Sequence, residues 1–88
     1  MKQFNYVLKD PEGIHARPAG LLAKEAKSYA GAGTVFTITK GSQTVKASQL
    51  MKLMSLGAKQ GDEVTVTAEG GDEDAAIAGM KKFMEEHL

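Results

Sequence analysis

The segment Glu63-Val64-Thr65-Val66-Thr67-Ala68-Glu69 alternates strictly between polar and apolar side chains. Successive side chains of a strand point to opposite faces, so Val64, Val66 and Ala68 should share one buried face. The intervening threonines then face solvent. A strand that is buried on one side only is typical of antiparallel or mixed sheets that are covered on one face. This segment therefore predicts an open-faced sheet.

The same alternation predicts three further strands, at residues 2–9, 34–40 and 43–47. Apolar residues at helical spacing predict three helices. The helices are expected at residues 16–28, at 49–56 with Ser48 as the N-cap, and after Asp72, which should cap the last helix. The order β-α-β-β-α-β-α predicts a single α+β domain over residues 1–88. Its architecture is an open-faced β-sandwich with a four-stranded, mainly antiparallel sheet and three helices on one face.

Composition excludes several classes of function. Eleven basic and eleven acidic side chains give no net charge, and the chain contains no cysteine. The charge balance removes the long-range positive field of a nonspecific nucleic-acid binder, and the lack of thiols excludes a disulfide framework or a thiolate metal site. No cluster of His, Asp and Glu has the spacing of a metal site, so neither metal nor cofactor is expected. Without a signal peptide or a membrane-spanning stretch, the chain is expected to be cytoplasmic.

The run Gly13-Ile14-His15-Ala16-Arg17-Pro18-Ala19 places a histidine where a turn becomes a helix. An imidazole can act as a nucleophile near neutral pH without a separate strong base. The first turn of a helix offers an anion its free amides, here those of Ala16 and Arg17, and the Arg17 guanidinium adds a forked charged donor. Pro18 suits this turn because no intrahelical bond needs its missing N–H. We therefore expect His15 to carry a phosphoryl group, although position alone leaves a cap or surface histidine open.

The helix predicted at residues 49–56 has more apolar side chains than one buried stripe can hold. We expect Leu53 and Leu56 to face the core, and Met51, Met54 and part of Leu50 to face solvent. Periodicity alone does not separate this arrangement from a fully buried helix, so the two stay open here.

Four runs carry a resemblance to a known family: GIHARPA at 13–19, LMKLMSLG at 50–57, QGDEVTVTAEG at 60–70 and DEDAAI at 72–77. In this order they closely resemble HPr, the phosphocarrier family of the bacterial sugar phosphotransferase system. The similarity covers essentially the whole chain. The family's fold has the same order of elements that the side-chain patterns predict.

The resemblance implies that His15 is phosphorylated on a ring nitrogen and that Arg17 stabilises the phosphoryl group beside the Ala16 amide. It implies enzyme I, charged by phosphoenolpyruvate, as donor and the IIA domains of sugar permeases as acceptors. The chain would then be a monomeric covalent carrier rather than a self-contained enzyme. A serine kinase and transcriptional regulators would be further partners. The positions that match the family's docking surface are Gly20, Leu21, Lys24, Lys27, Leu50, Met51, Lys52, Met54 and Ser55.

Two features leave alternatives open. The serine that a kinase modifies in many Gram-positive relatives aligns with Gln49, so Ser48 is either a regulatory phosphosite or, as we favour, only a helix cap. The alternative to phosphoryl relay is a regulatory binding module of the same fold that acts through the helix at 48–55. His87 is assigned no role, because Glu85 and Glu86 oppose the helix dipole and should fray the last turn.

Overall fold

A computed structural model describes all 88 residues of the chain, Met1–Leu88. It contains four strands and three helices in the predicted order. The strands are β1 (Lys2–Val7), β2 (Val35–Lys40), β3 (Gln43–Lys46) and β4 (Glu63–Glu69). The helices are α1 (Ala16–Ser28), α2 (Leu50–Ser55) and α3 (Glu73–His87), and a short 3₁₀ turn, Ala30–Ala32, follows α1. None of these helices combines the length and the apolar character that crossing a bilayer requires.

The four strands form one sheet in the order β1-β4-β2-β3, and every neighbouring pair is antiparallel. The strand β4 is central: its Val66 lies opposite Phe4 of β1 on one side and Ile38 of β2 on the other. Val64, Val66 and Ala68 are completely buried, as the alternation predicts. The strands β2 and β3 form an antiparallel hairpin.

One hydrophobic core of twenty buried residues lies between the sheet and the helices. The helix α1 contributes Ala19, Leu22, Ala23 and Ala26, which form the predicted stripe, and α3 contributes chiefly Ala76, Met80 and Met84. The other face of the sheet is mainly polar and at least partly exposed, apart from two exposed valines, Val7 and Val35; its polar residues are Gln3, Asn5, Thr37, Thr39, Thr65 and Thr67. The prediction of an open-faced α+β sandwich with three helices on one face is therefore confirmed.

The start of α2 differs from the prediction. The helix begins at Leu50, its N-cap is Gln49, and no side chain makes a capping hydrogen bond there. The prediction that Ser48 caps the helix is wrong, because a turn closed by the Gln49 N–H and the Lys46 carbonyl (3.1 Å) includes Ser48. The first helical bond then runs from the Leu53 N–H to the Gln49 carbonyl at 3.0 Å.

The predicted fraying of α3 is also wrong. The Leu88 carbonyl accepts hydrogen bonds from the amides of Lys9 (2.6 Å) and Asp10 (3.0 Å), and its side chain is buried. The Tyr6 hydroxyl donates to the Met84 carbonyl at 3.1 Å. Each of these bonds contributes about 1 kcal/mol, which outweighs an unfavourable dipole interaction of a few tenths. The strand β1 ends at Val7 instead of Lys9: the backbone of Leu8 bonds to Gly61 and Asp62 before β4, and the Lys9 amide turns to Leu88.

Candidate functional site

A tight turn and a long-range hydrogen bond hold the loop that leads to His15. The Gly13 amide donates to the Asp10 carbonyl at 2.9 Å, and the Glu12 amide donates to Asp10 Oδ1 at 2.8 Å. The amide of the next residue, Ile14, donates to the Ala58 carbonyl at 3.0 Å, and the Ile14 side chain is buried. The loop is thus fixed by its own turn and by the segment that follows α2.

Gly13 allows the loop to approach that segment closely. Its φ of 66° lies in the left-handed region, which side chains disfavour. A Cβ at this position would clash with the Ala58 carbonyl oxygen and lie 2.6 Å from Lys59 Cα, and both atoms belong to the backbone. The position therefore requires glycine for its backbone angle and for space.

The segment beneath the loop is held by an ion pair. The Asp62 carboxylate accepts from the Lys59 amide at 2.9 Å and lies 3.2 Å from Lys40 Nζ, which also donates to the Gly57 carbonyl. The Lys59 hydrogen bond, and then the Lys40 ammonium, lower the pKa of Asp62 below its usual value. This contact joins β2 to residues 57–62, on which the loop rests.

His15 is the N-cap of α1 and has extended backbone angles (φ −118°, ψ −173°). Its carbonyl accepts from the Ala19 amide at 2.8 Å, but its side chain makes no capping bond. The amides of Ala16 and Arg17 consequently have no hydrogen-bond partner in the protein, and Pro18 has no N–H to satisfy. The one-third-exposed His15 is therefore followed directly in the chain by two unused backbone donors.

A cleft of about 390 Å³ opens beside the His15 ring. Its lining residues are Asp10, Pro11, Glu12, His15, Arg17, Pro18, Leu21, Glu86 and His87. The cleft brings three of the predicted site residues together: His15, Arg17 and Leu21. No lysine lines it.

Carboxylates face the ring instead. His15 Nε2 lies 3.7 Å from Asp10 Oδ1, and His15 Nδ1 lies 3.6 Å from Glu12 Oε2. These distances are too long for hydrogen bonds, but they place both carboxylate charges directly beside the ring. Sequence reasoning missed both residues, although Glu12 precedes His15 by three residues within a turn, a spacing that brings side chains together.

It also missed Glu86 and His87, which line the cleft from the end of α3. The His87 ring is tilted against that of Phe83, with the ring centroids 4.6 Å apart. No local signal in the sequence identifies these two residues, because only the packing of α3 brings them to the cleft.

The apolar side chains of α2 divide as predicted. Leu53 and Leu56 are buried, whereas Met51 is 75% exposed and Leu50 and Met54 are about 40% exposed. The helix packs against α1, where Leu21 is also exposed. The polar positions of the predicted docking surface are at least partly exposed as well: Gly20, Lys24, Lys27, Lys52 and Ser55. Of the apolar residues on this surface only Leu21 lines the cleft; those of α2 lie outside it.

Ser48 is partly buried and its hydroxyl makes no hydrogen bond with the rest of the chain. It lies two residues before the exposed Leu50. Nowhere in the chain, the cleft included, do three His, Asp or Glu side chains converge in an arrangement that could hold a metal ion.

Comparison with known proteins gives consistent matches. The family model described as "PTS HPr component phosphorylation site" matches residues 2–86. The phosphocarrier protein HPr of Mycoplasma pneumoniae is 40% identical over 87 residues, which cover 99% of this chain and 97% of that protein. The solved structure of HPr-C-His from Thermoanaerobacter tengcongensis has a TM-score of 0.89 at 34% identity, with 99% and 94% of the two chains covered. An HPr dimer from the same bacterium has a TM-score of 0.73 at 35% identity, with 98% and 95% covered.

Proposed function

The chain belongs to the HPr family of phosphocarrier proteins, and from this premise we propose that it accepts a phosphoryl group on His15 and passes it on. Members of this family are phosphoryl carriers of the phosphotransferase system, so the role is that of a carrier rather than of a self-contained enzyme.

The observation that carries the proposal is the position of the ring. His15 lies one-third exposed at the start of α1, lines a cleft together with Arg17, and immediately precedes the unused amides of Ala16 and Arg17. A ring nitrogen with a free lone pair can attack phosphorus while the amides and the guanidinium receive the phosphoryl oxygens. The helix dipole favours the same negative charge.

We propose enzyme I as the donor and IIA domains as acceptors. The docking surface would be the exposed patch of Leu21, Leu50, Met51 and Met54 on α1 and α2, with Lys24, Lys27 and Lys52 at its rim. An apolar centre with a charged rim suits a small, transient interface, and lysines speed the encounter with acidic partners. Methionine side chains adapt to more than one partner surface.

Phosphorylation by enzyme I and phosphoenolpyruvate tests the acceptor residue. We expect an acid-labile, base-stable phosphoprotein in the wild type and none in His15→Ala. His87→Ala is the matched control because it removes the second histidine of the same cleft, and it should be labelled. Equal labelling of His15→Ala and the wild type would contradict the proposal.

A charge placed in the exposed patch tests the docking surface. Met51→Glu should slow phosphoryl transfer from enzyme I by about tenfold or more, as expected for a central interface residue. Val35→Glu is the control, because Val35 is also exposed and apolar but lies on β2, away from the cleft. Equal rates for the two variants would show that partners dock elsewhere.

The alternative function, a binding module that carries no phosphate, requires His15→Ala to keep both partner binding and its effect in cells.

We propose Ser48 as a second, regulatory phosphorylation site. Two observations favour it: its hydroxyl is not used as a helix cap, and it lies close to the exposed Leu50 and Met51. Phosphate there would repel acidic partners and raise the desolvation cost of docking. Mass spectrometry after treatment with a serine kinase and ATP should locate phosphate on Ser48; phosphate on Ser55 alone would contradict this assignment.

As a carrier of this system the 88 residues would act as one domain, as a monomer and in the cytoplasm. A monomer leaves the patch on α1 and α2 free for its partners. Size-exclusion chromatography at micromolar concentrations tests this part of the proposal, which a stable dimer would contradict.

A further inference from the structure

Each nitrogen of the His15 ring faces a carboxylate, at 3.7 Å for Asp10 and 3.6 Å for Glu12. A phosphoryl group on either nitrogen would therefore lie next to one carboxylate and within a ring's width of the other. The arrangement is unusual for a group that must accept a strongly negative substituent.

Asp10 is held in place. Its Oδ1 accepts from the Glu12 amide, its own amide donates to the Leu88 carbonyl, and its carbonyl accepts from the Gly13 amide. Its side chain is only 28% exposed. The charge of Asp10 consequently cannot move away from the ring without disruption of the turn.

Glu12 is attached differently. Its side chain is 74% exposed and makes no hydrogen bond. It can rotate away when a phosphoryl group arrives, at the cost of its contact with the ring. The two carboxylates should therefore repel a phosphoryl group on His15 with different strength. Of the two residues, Glu12 can be replaced with little risk to the fold.

The cleft has more negative than positive side chains, which disfavours a bound phosphoryl group. The negative groups are Asp10, Glu12 and Glu86, the permanent positive group is Arg17, and His87 is a second imidazole. Arg17 and the free amides of α1 attract the phosphoryl group, whereas three carboxylates repel it. A site designed only to hold phosphate would not surround it with this excess of negative charge.

We propose that Asp10 and Glu12 destabilise the phosphorylated form of His15 and so raise its tendency to give the phosphoryl group away. This inference rests on the proposed function. In the transfer step the lone pair of a ring nitrogen forms the new N–P bond, and the bond from phosphorus to the donor breaks with its electron pair left on the donor. When the phosphoryl group passes to the acceptor, the N–P bond breaks and its electron pair returns to the ring nitrogen. This step relieves the repulsion between the phosphoryl group and the two carboxylates.

The size of the effect follows from Coulomb's law. A phosphoryl group with nearly two negative charges, about 5 Å from a carboxylate in a solvent-exposed cleft, is destabilised enough to change an equilibrium constant by roughly three- to tenfold at moderate ionic strength. Each carboxylate should contribute a factor of about this size, and Asp10 the larger one because it cannot move away.

The test measures the equilibrium between the chain and phosphorylated enzyme I for the wild type, Asp10→Asn, Glu12→Gln and the double variant. Loss of each charge should shift the equilibrium toward the phosphorylated chain by roughly three- to tenfold at about 0.1 M salt. Because the effect is electrostatic, the differences should shrink at about 1 M salt, whereas a purely structural role of these residues would give no such dependence.

Glu69→Gln is the matched control for loss of one negative charge. The strand β4 runs from Glu63 to Glu69. Glu63 pairs with Val7, just before the loop that carries His15, so Glu69 lies at the far end of the strand from that loop. Its substitution should leave the equilibrium unchanged. If Asp10→Asn does not fold, Glu12→Gln alone decides, because its side chain supports nothing else. Equilibria of Asp10→Asn and Glu12→Gln equal to that of Glu69→Gln would overturn the inference while leaving His15 as acceptor.

A second measurement is independent of enzyme I. Phosphoramidate phosphorylates histidine chemically, and the lifetime of the resulting phosphohistidine on His15 can be followed in each variant. We expect a longer lifetime, by about the same factor, where a carboxylate has been removed. Equal lifetimes in all variants would contradict the inference, whereas failure of enzyme I to label the wild type would contradict the proposed function alone.

Discussion

Replacement of Gly13 by alanine tests how the loop before His15 is supported. The substitution has two costs that can be separated. The first is the positive φ of 66°, which a residue with a Cβ disfavours, and the second is the clash of that Cβ with the backbone of Ala58 and Lys59. Relief of the clash requires the loop to move, which would break the hydrogen bond from the Ile14 amide to the Ala58 carbonyl.

The left-handed backbone conformation costs about 1–2 kcal/mol for a residue with a side chain. The lost hydrogen bond and the displaced loop add about 1–2 kcal/mol. We therefore expect Gly13→Ala to lower the free energy of unfolding by about 2–4 kcal/mol, which is a large share of the stability of a small domain. The melting temperature should fall by about 10–25 °C.

Gly57→Ala is the matched control. Gly57 has nearly the same φ, 64°, but nothing lies within 4 Å of a Cβ built on it. Only the conformational cost of about 1–2 kcal/mol applies there. Urea unfolding followed by far-ultraviolet circular dichroism measures both free energies, and the rate of His15 labelling under folding conditions should fall only for Gly13→Ala. Equal destabilisation of the two variants would refute the close approach of the loop to residues 58 and 59.

Leu53→Ala should lower the free energy of unfolding by about 2–5 kcal/mol because the side chain is completely buried, whereas Met51→Ala, at a 75% exposed position, should change it by less than about 0.5 kcal/mol. Urea titration of the two variants checks the assignment of the faces of α2. Tyr6→Phe removes the hydroxyl that donates to the Met84 carbonyl and should cost about 1 kcal/mol; burial raises the pKa of Tyr6, so its ultraviolet titration should lie above pH 10.0 in the folded protein. The pKa of Asp62 is lowered in the folded state, so the stability that its carboxylate contributes is present above its unfolded pKa of about 3.8 and is lost as the pH falls through the folded value. Unfolding curves of wild type and Asp62→Asn should therefore differ at pH 6 and converge in acid.

The sequence predicts well those structural features that depend only on residues close together in the chain. The alternation in β4 identifies the buried face because each residue's direction depends only on its position along the strand. The division of α2 into buried Leu53 and Leu56 and exposed Met51 and Met54 follows from helical spacing and side-chain type in the same way. His15, Arg17 and the free amides belong to one turn of helix, so their proximity is local too.

The features that sequence reasoning missed depend on contacts between distant parts of the chain. Leu88 and Lys9 meet because α3 packs across β1, and no pattern near either residue indicates this. The same packing brings Glu86 and His87 to the cleft. Ser48 is a favourable capping residue, but the turn that follows β3 uses its position, so tertiary geometry overrides the local preference.

The hydrogen bonds from Lys9 and Asp10 to Leu88 have a consequence for biosynthesis. The loop that carries His15 lies near the beginning of the chain, yet its backbone partners are Ala58 and Leu88, and β1 pairs only with β4. During translation the early segment must wait until these late residues leave the ribosome, since a contact cannot form before both of its residues have been synthesised. A nascent chain therefore lacks the assembled loop that carries His15, and a chain truncated before α3 is complete should not acquire it. Premature products of translation would then not compete with the finished carrier for phosphoryl groups.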